Sequence, residues 1–168
     1  MNLLKKLLGV TDSHNNNEIS HEKQIQQPSK TLLMLIYGSF ALTLIQFGLG
    51  VDVRQFIDYQ IKQAGSNASQ LWLDRPEISF YVHRSLSLAV VVLSVWIYKL
   101  VVKESLTQKY IQFIIGCILV EIILGILMYY VDFPWGTQPL HLLIAALLFS
   151  AQLYWLLRIK LKSYDLSI

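Results

Sequence analysis

Two histidines, His83 in "FYVHRSLSL" and His141 in "PLHLLIAALLFS", each lie a few residues inside a long apolar run. An imidazole carried into hydrocarbon is costly unless something satisfies it, so each ring asks for a hydrogen-bond partner or a metal. Neutral imidazole is the commonest metal ligand, and its two nitrogens let one bind while the other is held. The other two histidines, His14 and His21, fall in a polar stretch near the start and read as solvated side chains.

The elements that must carry these rings are spelled out by hydropathy. The chain has 168 residues, 54% of them hydrophobic, and a mean hydropathy of +0.47. Four windows, 31–51, 78–98, 110–130 and 138–157, match the ~20 residues a spanning helix needs. The first and last contain no Asp, Glu, Lys or Arg; the second holds only Arg84 and the third only Glu121. None alternates as a barrel strand would. The pattern predicts an all-α membrane protein, a four-helix transmembrane up-down bundle over residues 31–158. Residues 1–30 read as a polar, flexible tail whose opening "NLLKKLL" is either a turn or two of interfacial helix or a disordered start. Residues 159–168 read as a second tail, and no cleavable signal peptide is evident.

Charge placement orients the spans. Lys5, Lys6, Lys23 and Lys30 precede the first; Lys99, Lys103 and Lys109 lie between the second and third; Arg158, Lys160 and Lys162 follow the fourth. The other two connections are balanced or acidic, with Asp52, Asp58, Asp74 and Glu77 in one and Asp132 in the other. The positive-inside rule puts both termini in the cytoplasm, as for a multi-pass protein of the inner (plasma) membrane. Within the 52–77 connection, Val53, Phe56, Ile57 and Ile61 at helical spacing predict a short helix lying on the outer surface, ended by Gly65 and "SNAS". Trp72, Trp135 and Tyr129–Tyr130 are expected at the outer interface, where aromatic rings prefer to be.

The chain also shows a weak repeat. "IQFGLG" (45–50) and "VEIILG" (120–125) each set a polar side chain ahead of Leu-Gly, and each leads through an outer connection to a span with one histidine near its start. Two similar hairpins related by an axis along the membrane normal would follow. At ~1.5 Å per residue His83 lies roughly 8 Å and His141 roughly 5 Å below the outer face. Spans two and four run the same way and are diagonal neighbours in an up-down bundle. A haem with two axial histidines, His83 and His141, would satisfy both rings and bury its macrocycle between them. Ser87 and Ala145, one turn further on, leave room for a flat group, and Arg84, Arg54 or Arg75 would pair with its propionates. The alternative is that each histidine merely bonds a neighbouring side chain or carbonyl. Too few further ligands lie nearby for zinc, and a single cysteine, Cys117, allows no intrachain disulfide. Glu121, near mid-bilayer, reads either as a proton relay or as a protonated carboxyl bonded to Gln46 or another core group.

"LIQFGLGVDVRQFID", "LWLDRPEISFYVHRSLSL" and "LVEIILGILMYYVDFPWGTQPLHLLIAALLF" resemble the carboxy-terminal half of the haem A synthase family, the Cox15/CtaA group, over roughly residues 32–157. That family joins two four-helix units, one oxidising the C8 methyl group of haem O to a formyl group and one holding an electron-carrying haem b. By resemblance, His83 and His141 are axial ligands and catalytic residues are unknown. The family's catalytic glutamate, three residues before its first ligand histidine, is here Phe80, with Glu77 the nearest acid; the outer-loop cysteine pair is missing; and the family's glutamine in the second hairpin is Glu121. The resemblance therefore implies the electron-carrying half, b-type haem with haem O as a possible substrate, and assembly as a homodimer or with a separately encoded first-half subunit in the lipid bilayer, without nucleic acid. A b-type membrane cytochrome that does not hydroxylate haem O is the alternative, and a haem-free assembly scaffold the third reading.

Overall fold

The computed structural model describes residues 27–165, apart from 66, 69–70 and 74–75. The start of the amino-terminal tail, with its candidate interfacial helix, and Arg75 lie outside the described residues. Four helices follow in order: α1 (Lys30–Ala64), α2 (Ile78–Lys103), α3 (Lys109–Tyr130) and α4 (Thr137–Asp165). All four are long and apolar enough to cross a membrane, as the four hydrophobic windows predict.

Local chemistry sets the ends. Ser29 caps α1, its Oγ accepting from the Leu32 N–H at 3.1 Å. The Glu104 carboxylate takes both the Ser29 N–H (2.9 Å) and O–H (2.6 Å), tying the start of α1 to the α2–α3 turn. That turn closes α2 with Ser105 at φ 52°, while the Ser105 N–H bonds Val102 O and the Leu106 N–H bonds Val101 O. This is a Schellman motif with serine where glycine is usual. Past α3, Asp132 and Phe133 both take positive φ and the Phe133 N–H reaches Met128 O at 3.2 Å.

One expectation needs correction. The predicted surface helix after Val51 is not a separate element: α1 runs unbroken for 35 residues to Gly65, whose N–H bonds Ile61 O. The charged residues that interrupt the hydropathy do not interrupt the helix, because no proline intervenes and Arg54 and Asp58 form an i,i+4 ion pair at 2.9 Å. At ~1.5 Å per residue α1 is about 50 Å long, so its last turns stand clear of a ~30 Å hydrocarbon core. Likewise α4 continues past residue 157 to Asp165. Trp72 is buried, donating to Gly65 O at 3.3 Å and packing on Phe133 with ring centroids 5.3 Å apart, so it joins the two far-end connections. Trp135 is fully exposed.

Each hairpin, α1–α2 and α3–α4, packs most intimately within itself; α2 against α3 and α1 against α4 complete the ring, and neither diagonal pair comes into backbone contact. The bundle is therefore up-down, with α2 and α4 opposite each other. Its apolar core, built on Leu32, Ile36, Ile97, Val101, Ile111, Ile114 and Trp155, lies toward the end that holds the α1 start and the α2–α3 turn. Midway, Ser39, Thr43, Ser94 and Gln152 are buried, with the Gln152 amide donating to Ser39 Oγ at 3.4 Å.

Candidate functional site

The inward stripe of α2 runs through His83, Leu86, Val90, Ser94, Ile97 and Val101, and that of α4 through His141, Ile144, Ala145, Leu148, Gln152 and Trp155. These are i, i+3, i+4, i+7 progressions, one face of a helix. Both histidines thus open the buried stripe of their helix at the far end of the bundle, on diagonal elements.

What surrounds them differs between the hairpins. The Gln46 amide on α1 donates to the main-chain oxygen of His83 at 3.0 Å, and the imidazole lies against Gly50, where an added Cβ would stand 3.4 Å from its Cε1. On α3, Glu121 Oε2 approaches His141 Nδ1 to 3.0 Å, without the alignment of a hydrogen bond. Of the partners expected for Glu121, Gln46 or another core group, it is the core group His141 that it meets: each polar side chain serves the histidine of its own hairpin. Gln46 and Glu121 are equivalent positions of the internal repeat, and that equivalence is the sequence signal that points to this pairing.

The expected propionate partners are engaged locally. Arg84 stacks on Tyr129, 5.2 Å from the ring centroid, and donates to Tyr130 Oη at 3.4 Å. Arg54 holds Asp58 and donates to the Gln138 side chain on α4. Phe80 stacks on Tyr129 at 5.5 Å, so an aromatic ladder occupies the place of an acid. Ser87 turns its hydroxyl back to Arg84 O at 2.6 Å.

Among the described residues no group of three or more His, Cys, Asp or Glu gathers to hold a metal ion; the donor set is two imidazoles and one carboxyl. His83 Nδ1, His141 Nδ1, Gln46 Oε1, Glu121 Oε1 and Gln138 Nε2 are buried without a hydrogen-bond partner. Native interiors leave few such atoms, because each costs about 1–3 kcal/mol. Two imidazoles on opposite helices are the donor set that a flat metal-bearing group ligated from both sides needs, and orphaned polar atoms beside them leave room for contacts that this core does not itself supply.

Fold and site define a multi-pass membrane bundle with an intramembrane imidazole pair. A family model described as cytochrome oxidase assembly protein, COX15-CtaA, matches residues 6–153, and the chain belongs to that family. Membership points to a role in cytochrome oxidase assembly or haem A synthesis. No curated protein and no solved structure matches it.

Proposed function

We propose that this chain is a haem-binding unit of the haem A synthase type and serves as its electron-carrying half, with His83 and His141 as axial ligands of a b-type haem. The observation that carries this reading is the pair of inward imidazoles on the diagonal helices α2 and α4, ringed by unsatisfied polar atoms. Bound haem supplies reversible one-electron chemistry at the iron. The protein's own part is to present two neutral imidazoles from fixed helices, to exclude water with the bundle around them, and to place cations at the far end. Arg54 and Arg84 suit the propionates there once released from their local contacts.

Phe80, stacked on Tyr129, supports electron carriage over hydroxylation of haem O, since no carboxyl stands one turn before His83. An electron-carrying unit works with a separately encoded first half; a second copy of itself is the arrangement if the chain converts haem O alone. Lys30, Lys103, Lys109 and Arg158 all fall at the end of the bundle that holds the α1 start and the α2–α3 turn, which favours that end as the cytoplasmic side of the plasma membrane. The test is conversion of haem O to haem A in a host lacking its own synthase. Conversion is expected only when a catalytic partner unit is supplied. Haem bound without conversion, partner present, would support a plain b-type cytochrome instead, and no Soret or α band in the purified protein would remove both readings.

A further inference from the structure

The two hairpins use the same repeat position differently, and the difference falls on the histidines. In the first, position 46 is a glutamine whose amide bonds the His83 main chain; the His83 ring has no partner at Nδ1 and rests on Gly50. In the second, position 121 is a glutamate whose carboxyl oxygen stands 3.0 Å from His141 Nδ1, while the equivalent glycine, Gly125, has nothing within 4 Å of an added Cβ. Neither Nδ1 has a formed hydrogen bond, but one imidazole rests on a glycine and the other faces a carboxyl oxygen. A carboxyl oxygen at Nδ1 fixes the tautomer and ring orientation, leaves Nε2 free to ligate, and increases the basicity of that nitrogen. A glutamine bonded to the helix backbone does none of these things to the ring.

We propose that Glu121 is a positioning residue that orients His141 and makes it the more electron-donating of two unequal axial ligands, lowering the reduction potential of the haem. This rests on the haem reading above. Turning the His141 ring so that its Nδ1–H points at Glu121 Oε2 would complete a bond across the existing 3.0 Å approach. The carboxyl is then a modest but directional lever, since axial-ligand basicity is among the means by which a protein sets haem potential.

The experiment is a redox titration, with ferric electron paramagnetic resonance, of the purified full chain and its Glu121→Gln and Glu121→Asp variants, each checked for haem per protein. Glu121→Gln is expected to retain a six-coordinate low-spin haem while its midpoint potential moves upward and its low-spin g-tensor shifts. Glu121→Asp, with the carboxyl drawn back, is expected to fall between Gln and the wild type. If Glu121→Gln does not yield folded protein, the upward shift in Glu121→Asp carries the test alone. Potentials and g-values unchanged in whichever variants fold would overturn the role of Glu121 while leaving the haem assignment standing. A wild-type chain that binds no haem would overturn the assignment itself and the proposal with it.

Discussion

At the end of the bundle that holds the α2–α3 turn, Leu32, Ile97, Val101, Ile111 and Ile114 are almost wholly enclosed and the α1 start is clamped through Ser29 and Glu104. At the far end the same four helices turn Gln46, His83, Glu121 and His141 inward and leave several of their polar atoms unsatisfied. The helices are continuous from one end to the other, so neither length nor propensity explains the contrast. It lies in which residues occupy the inward stripe: aliphatic at one end, polar and glycine at the other. In lipid, helix association is driven by packing and interhelical hydrogen bonds, because the tails are as apolar as leucine. The packed end supplies that association and the polar end is free to hold something else.

The strongest way to break this contrast is to remove a ring. His83→Ala and His141→Ala are each expected to lose most bound haem in the optical spectrum of purified protein while helix content by circular dichroism is kept, with His14→Ala behaving as wild type. Full haem content in both variants would end the ligand assignment. Next in size is the opposite end. Ile111→Ala opens a void in the enclosed core and is expected to cost about 2 kcal/mol, the lower part of the range for buried Ile→Ala because lipid removes most of the transfer contribution. Denaturant unfolding in detergent measures it, and haem per folded molecule should not change.

A smaller effect separates the hairpins. Gly50→Val drives a branched side chain into the His83 ring and is expected to weaken haem retention several-fold, whereas Gly125→Ala meets open space and should leave it unchanged; competition with apomyoglobin for haem reads both. Equal losses would mean that Gly50 does not shape the site. The smallest effect belongs to the clamp. Ser29→Ala removes the α1 cap and the hydroxyl's bond to Glu104 while the backbone N–H bond to Glu104 stays, for about 1 kcal/mol as a lowered thermal midpoint with an unaltered haem spectrum.

The four spans and their up-down order are legible in the sequence because uninterrupted apolar runs of bilayer length have few other solutions. The inward placement of His83 and His141 is legible too, since each starts an i, i+3, i+4, i+7 progression. The continuation of α1 past Val51 is not, because Asp52, Arg54 and Asp58 end the apolar run without ending the helix. The partner of Glu121 depends on how α3 and α4 are rotated against each other, which hydropathy does not record; only the repeat that pairs position 46 with 121 hints at it. The packing of Trp72 on Phe133, 61 positions away in the other connection, is likewise a contact that hydropathy does not record.

The claim that both imidazoles bind one iron is tested most directly by the electron paramagnetic resonance and near-infrared magnetic circular dichroism of the ferric full-length protein. A single low-spin species with bis-imidazole character is the predicted result. A high-spin spectrum, or low-spin iron with only one imidazole, would contradict it.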